Sequence, residues 1–138
     1  QIATCKRVVQ LGSLHPTRDF NYVADTVNGF IQALESDKGI GEIINLGSNC
    51  EISIGDTAKA IAEVMGVDIE ILTDDERSRP KDSEVKRLWA DNSKAKVLLD
   101  WQPEYGSFAG FKRGLLETAD WFINSGNLAA YKSDRYNL

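Results

Sequence analysis

Hydrophobic positions along the chain follow two spacings, one typical of short strands and one typical of amphipathic helices. Apolar and β-branched residues cluster at residues 7–11 and 42–46, each run ended by a glycine, and again at residues 67–72. Runs of this length and composition predict strands. Between the first two runs, apolar residues recur at intervals of three and four and predict a helix of about three turns, ended by Lys38-Gly39. Its apolar stripe is formed by Val23, Val27, Phe30, Ile31 and Leu34.

Two further helices are predicted from their capping residues. Ser53 stands three residues before Asp56 and ahead of a run with helical spacing, which is typical of an N-cap, and Gly66 supplies the stop. Downstream of an arginine-rich loop, Asp91 or Asn92 is expected to cap a third, shorter helix. Each of the two helices has apolar residues on one face.

A fourth helix is expected to begin near Ser107 and to run for some four turns, until Ser125-Gly126 ends it. The first residues, from Gln1 to Thr4, are typical of the last turn of a helix, so we expect a chain truncated at its N-terminus. Short strands alternating with four main helices predict an α/β fold in a single domain, residues 1–138.

Composition narrows the class of protein. With 138 residues, of which 42% are hydrophobic and 27% charged, the chain is long enough for one domain with a core. Its net charge of -5 gives no basic surface for nucleic acid. No apolar run approaches the ~20 residues that span a bilayer, so we expect no membrane partner and a cytoplasmic location. Cys5 and Cys50 lie far apart without nearby histidines and indicate neither a metal site nor a disulfide framework.

Two arginine-containing segments carry the candidate chemistry. Arg18 lies in residues 17–25, just before the first predicted helix, where a helix N-terminus already favours anions. Arg79 precedes Pro80, which favours an extended backbone there. Guanidinium groups stay charged and offer paired planar donors, so two of them suit a diphosphate. An arginine followed by an aspartate is, taken alone, more often a solvated surface pair.

The order and spacing of residues 17–25, 79–85 and 89–95 resemble the C-terminal, sugar-nucleotide-binding portion of the extended short-chain dehydrogenases. Within this family of NAD-dependent sugar-nucleotide epimerases and dehydratases, the sequence is most similar to the UDP-N-acetylglucosamine 4,6-dehydratase type, which is a lyase. The resemblance covers essentially the whole chain. It implies that Arg18 and Arg79 contact the diphosphate of a bound UDP-sugar, whereas Arg77 is the spectator in its loop.

The resemblance also implies contacts to the nucleoside. Similar proteins hold the nucleobase through backbone hydrogen bonds of the strand before the first motif, which here is Val9, Gln10 and Leu11. An acidic residue after the second arginine contacts the ribose in the family. Glu84 is the best match, although its spacing from the arginine is longer than in the epimerases and Asp82 could serve instead.

The catalytic parts of such an enzyme are absent from the sequence. The family's hydride chemistry needs a glycine-rich turn for NAD and a tyrosine followed four residues later by a lysine. No tyrosine here has that lysine, and the turn at residues 47–49 lacks the further glycines of a dinucleotide site. We therefore expect no catalytic residue, no bound cofactor and no turnover by this chain alone, with NAD implied for the parent enzyme and its N-terminal half as the partner.

Two other hypotheses remain open. A stand-alone interaction module descended from such an enzyme would expose the surface that once packed on the Rossmann half, or use it for self-association. In the parent enzymes the first strands join a sheet built by the other half, so an open edge here predicts dimerisation. A small enzyme of unrelated chemistry is disfavoured, because the sequence has no nucleophile–base pair or metal cluster.

Several conspicuous residues are interpreted as structural. Asp19 and Asp25 stand beside a helix start, where carboxylates usually act as caps or dipole partners. Trp89, Trp101 and Trp121 are expected in the core, with their indole N–H groups satisfied. The only histidine, His15, is expected to be exposed and is given no role.

Overall fold

The computed structural model describes residues 1–74, 85–124 and 126–131. It has four strands, β1 (Val8–Leu11), β2 (Thr17–Asp19), β3 (Glu51–Ser53) and β4 (Glu70–Thr73). Its four main helices are α1 (Val23–Glu35), α2 (Ile54–Val64), α3 (Ser93–Leu99) and α4 (Ser107–Asn124), and short 3-10 helices cover Ile2–Thr4, Asp37–Gly39 and Asn127–Ala130. The α/β class and the number of main helices are therefore as predicted.

The chain divides into two compact units. The first unit comprises Gln1–Pro16, Ser53–Lys86 and Leu115–Leu138, and the second comprises Thr17–Ile52 and Arg87–Gly114. In the first unit, β1 and β4 pair in parallel with Val9 opposite Ile71. The strand β2 pairs with β3, whose first two residues belong to the second unit. The first unit keeps Val9, Ala58 and Ala62 buried, and the second has a core of Ala95, Leu99 and Trp101.

The N-terminus of α2 forms as its sequence predicts. The Ser53 hydroxyl oxygen accepts a hydrogen bond from the Asp56 N–H at 3.0 Å, and the same hydroxyl donates to the Asp56 carboxylate at 2.7 Å. The hydrogen bond from the Ser53 hydroxyl is the larger cause that holds the pKa of Asp56 below its usual value. A hydrogen bond from the Lys59 ammonium is the second cause. After the helix, Gly66 has a φ of 65°, which a glycine adopts without strain.

Two expectations about strands are corrected, and one open alternative about a helix cap is resolved. Residues 42–46 form no strand in the described part of the chain, because they join no ladder there, although Ile44 and Leu46 pack inward on the second unit's core. The third predicted strand begins at Glu70 rather than at residue 67. The sequence left the cap of α3 open between Asp91 and Asn92: Asn92 holds the N-cap position without a side-chain cap, and the Asp91 carboxylate accepts from the Ser93 N–H at 2.9 Å.

The tryptophans do not share one environment. Trp101 is 1% exposed and its indole N–H donates to the Asp25 carbonyl at 3.1 Å, as expected of a core tryptophan. Trp89 and Trp121 are about half exposed, so their assignment to the core was wrong. Each lies against other side chains instead: Arg87 lies over the Trp89 ring, and Phe122 packs edge-on to Trp121.

Candidate functional site

Arg18 lies in the middle of β2, in the second unit, rather than directly at the helix N-terminus that the sequence suggested. It is partly buried, and its Nη1 donates to the carbonyl of Thr17 at 2.7 Å. The helix α1 begins only at Val23, and its N-cap residue Tyr22 makes no side-chain cap. The backbone of Arg18 is thus fixed by a strand, and its guanidinium is folded back along that strand.

The next residue, Asp19, fixes the strand from its other side. Its carboxylate accepts from the Ser48 N–H at 2.8 Å and the Ser48 hydroxyl at 2.5 Å, and from the N–H groups of Asn49 at 3.3 Å and Ala90 at 3.2 Å. Ser48 is buried. A carboxylate with this set of donors is committed to holding the chain, which agrees with the structural interpretation of Asp19.

The Asp19 contacts also decide whether residues 47–49 could hold a dinucleotide. The N–H groups of Ser48 and Asn49, which would have to face a phosphate, both donate to Asp19. The carbonyl of Gly47 accepts from the Asn92 side chain at 2.8 Å. The turn therefore does not fit an NAD phosphate, in line with its missing glycines.

A second arginine joins this region without having been singled out in the sequence. The Arg87 Nε donates to the Glu51 carboxylate at 2.7 Å, and the Thr17 hydroxyl donates to the same oxygen. Hydrogen bonds from Arg87 and, second, from Thr17 lower the pKa of Glu51 below its usual value. The Arg87 guanidinium carbon lies 5.1 Å from the centroid of the Trp89 ring. Residues 51 and 87 are too far apart in sequence for spacing to reveal this pair.

The strand expected to hold a nucleobase, β1, lies in the first unit. Val9 is buried, Leu11 is half-buried and Gln10 is exposed. The carbonyls of Arg7 and Leu11 accept from the N–H groups of Glu70, in β4, and of Asp74, just after it, at 2.8 Å each. The Gln10 N–H instead donates to Oε1 of Gln1 at 3.1 Å, and its carbonyl accepts from the same carboxamide at 3.4 Å. This edge of β1 can therefore pair with a planar amide, the pattern that a nucleobase imide also offers.

The other features narrow the chemistry. A cavity of about 470 Å³ in the first unit is lined mainly by apolar side chains of β1, α2 and α4, so it does not suit a diphosphate. Within the described residues, no group of acidic, histidine and cysteine side chains could hold a metal ion, and no helix is long and apolar enough to cross a membrane.

Burial, with a smaller effect of Asp19, raises the pKa of the Cys50 thiol. His15 is exposed.

The remaining predicted site residues, Arg79 and Glu84, lie outside the described residues, as do Arg77 and Asp82. The structure therefore describes four of the six residues that are predicted to contact the ligand. It places Val9, Gln10 and Leu11 together on one strand of the first unit, and Arg18 in the second unit.

Residues 1–113 match the family model described as GDP-mannose 4,6 dehydratase. Among curated proteins, the UDP-glucuronate 4-epimerase of Thermodesulfobacterium geofontis is 38% identical over 106 residues, and the UDP-glucose 4-epimerase of Mycolicibacterium smegmatis is 31% identical over 108 residues. These matches cover 75% and 78% of this chain but only 29% and 32% of the two enzymes. The chain thus spans about a third of the length of these relatives.

Solved structures agree with this match. The epimerase Mth375 of Methanothermobacter thermautotrophicus superposes on 93% of this chain with a TM-score of 0.78 at 30% identity, using 36% of its own length. A UDP-glucuronic acid 4-epimerase of Bacillus cereus, in complex with a fluorinated UDP-glucuronic acid and NAD, covers 91% of this chain with a TM-score of 0.70 at 33% identity, over 37% of its own length. This chain belongs to the NAD-dependent sugar-nucleotide epimerase/dehydratase family, the extended short-chain dehydrogenases.

Proposed function

We propose that this chain is the UDP-sugar-binding region of an NAD-dependent sugar-nucleotide 4,6-dehydratase or epimerase. Arg18 and Arg79 bind the diphosphate, the backbone of Val9, Gln10 and Leu11 binds the nucleobase, and Glu84 binds the ribose. Similar solved enzymes bind UDP-sugars: the Bacillus cereus enzyme holds a UDP-glucuronic acid analogue, and a Thermotoga maritima epimerase, 26% identical, holds UDP-glucose. These relatives support a uridine nucleotide as the ligand.

The observation that carries the proposal is the setting of Arg18. The residue lies on a strand whose following residue, Asp19, accepts four hydrogen bonds, so the backbone that carries the guanidinium is held in place. A pre-positioned arginine loses less freedom when it binds a phosphate than one on a loose loop. Arg87 adds a second positive group to the same unit, although Glu51 is its direct partner.

Turnover would need groups that this chain does not supply. The sequence has no tyrosine–lysine pair with the family's spacing, and the turn at residues 47–49 does not fit a dinucleotide. Structural relatives bind NAD, which supports NAD as the cofactor of the complete enzyme. In this proposal the chain binds the substrate and is inactive alone, whether the full reaction is a dehydration, which would make the parent a lyase, or an epimerisation. A cytoplasmic location and a dimer stay predictions.

A calorimetric titration of the chain with UDP-N-acetylglucosamine tests the proposal, with NAD as the ligand control. Each charge-assisted bond to phosphate contributes roughly 1.5–3 kcal/mol, so Arg18→Ala should weaken binding by about tenfold or more. Arg79→Ala should have a similar effect, and Arg77→Ala, two residues earlier in the sequence, is the matched control. Equal affinities for all three variants, or no heat at millimolar nucleotide, would contradict the proposal.

A stand-alone interaction module is the second candidate function. It is favoured by the large apolar side chains that the described residues leave exposed, among them Leu34, Ile40 and Ile43. Contiguous apolar surface is typical of a binding site, and single exposed apolar residues are common on any protein. Light scattering beside the nucleotide titration separates the two candidates, because a module that only self-associates changes mass with concentration and binds no UDP-sugar, whereas a substrate-binding region binds the UDP-sugar in either oligomeric state.

A further inference from the structure

The carboxamide of Gln1 lies against the strand that the proposed function assigns to the nucleobase. Its Oε1 accepts from the Gln10 N–H at 3.1 Å, and its Nε2 donates to the Gln10 carbonyl at 3.4 Å. One planar amide thus meets both backbone groups of a single residue, with an acceptor and a donor side by side. Uracil presents the same pair, a carbonyl oxygen next to an imide N–H.

The Gln10 backbone faces the edge of β1 that lies away from β4. The carbonyls of Arg7 and Leu11 accept, at 2.8 Å each, from the segment that forms β4 and the residue after it. Peptide groups of successive residues alternate in direction along a strand, so Gln10 directs its own N–H and C=O to the opposite edge. A base that binds this backbone therefore has to occupy the position where the Gln1 carboxamide lies.

The backbone of Gln1 is anchored by the turn that follows it. The Gln1 carbonyl accepts from the Thr4 hydroxyl at 2.8 Å, from the Thr4 N–H at 3.2 Å and from the Lys6 N–H at 3.2 Å. The Cys5 N–H closes the same turn by donating to the Ile2 carbonyl at 2.9 Å. Because the turn fixes its backbone, the Gln1 side chain gives up little freedom when it bonds to the strand.

We propose that Gln1 is an intramolecular competitor for the nucleobase, and that a uridine nucleotide displaces its carboxamide from the Gln10 backbone in order to bind. The inference rests on the proposed function. A competitor in the same molecule lowers the apparent affinity by the fraction of chains in which the edge of β1 is vacant. Two neutral hydrogen bonds at an exposed edge are weak, so the reduction should be about threefold to tenfold rather than a complete block.

Titration of Gln1→Ala with UDP and with uridine tests the inference. Loss of the carboxamide should lower the Kd of both ligands by about threefold to tenfold, because both carry the same base. Gln1→Glu keeps an acceptor for the Gln10 N–H but loses the donor to its carbonyl, so it should bind more tightly as well. The matched control is Gln102→Ala, which removes an exposed glutamine of the second unit and should change neither Kd. A gain in affinity cannot result from misfolding, and intact mass verifies that the Gln1 carboxamide has not cyclised.

The side-chain amide resonances of Gln1 report the displacement directly. Saturating UDP should shift them towards those of the exposed Gln102 side chain. An unchanged Kd in Gln1→Ala, or Gln1 resonances that do not move at saturating UDP, would overturn the inference and leave the proposed function standing. Weaker binding by Gln1→Ala would overturn it too, because Gln1 would then be a contact of the ligand. No UDP binding by either chain at millimolar concentration would contradict both the inference and the proposed function.

Discussion

Asp25 is a buried carboxylate of the second unit, and its removal should destabilise that unit strongly. The side chain is 4% exposed, and its two oxygens accept from the N–H groups of Glu104 and Tyr105. Its carbonyl accepts from the buried indole of Trp101. The first turn of α1 is thereby tied to the segment that leads into α4.

The magnitude follows from the hydrogen bonds. Asp25→Ala leaves two N–H groups without an acceptor, and a lost bond to a charged group costs about 1.5–3 kcal/mol, so the free energy of unfolding should fall by about 3–5 kcal/mol. In Asp25→Asn one oxygen remains, but the amide nitrogen faces a donor, so a loss of about 2–4 kcal/mol is expected. Urea unfolding followed by circular dichroism measures both values.

The control is Asp120→Asn, which changes an exposed aspartate of α4 in the same way. It should alter the free energy of unfolding by less than about 0.5 kcal/mol. If Asp25→Asn is as stable as this control, the carboxylate does not hold the segment and the reasoning is refuted. A large loss with Asp25→Ala but none with Asp25→Asn would show that packing, not the charge, matters.

Three further predictions follow from local contacts. Ser53→Ala removes the cap of α2 and should lower the free energy of unfolding by about 1 kcal/mol in urea, with little change for Ser53→Thr, which keeps a hydroxyl that can accept from the Asp56 N–H and donate to the Asp56 carboxylate. Gly29→Ala should lower it by about 1–3 kcal/mol through the clash with Leu46, and Leu46→Ala should reduce that penalty in a double-mutant cycle; additive losses would argue against the contact. The pKa of Glu51 is lowered in the folded chain, so its contribution is present above pH ~4.3 and is lost as pH falls below it. Glu51→Gln should therefore lose less stability than the unchanged chain between pH 5 and pH 3, and parallel pH curves would contradict this.

Much of the helical structure could be predicted because its signals are local. The cap at Ser53, the stop at Gly66 and the apolar spacing of α1 lie within a few residues of the features that they determine. The spacing of α1 identified the stripe correctly, but it could not show that the stripe would be exposed. Whether the stripe is exposed depends on which other parts of the protein pack on the second unit.

The strands and the site were harder to predict, because they depend on pairing between distant residues. Residues 42–46 have the composition of a strand but no ladder in the described residues, whereas the three-residue strands β2 and β3 are too short to give a periodic signal. The contact between Arg87 and Glu51 joins positions 36 residues apart. The motif at residues 17–25 predicted that Arg18 binds phosphate. Only the structure showed that Arg18 lies on a strand.

The most direct test of the central claim is an NMR titration that follows the Nε–H resonance of Arg18 with UDP and, separately, with uridine. If Arg18 binds the diphosphate, UDP should shift this resonance in a saturable way and uridine should not. Arg18→Lys keeps the charge but loses the planar pair of donors, and it should weaken UDP binding. An Arg18 resonance that responds equally to both ligands, or to neither at millimolar concentration, would contradict the account.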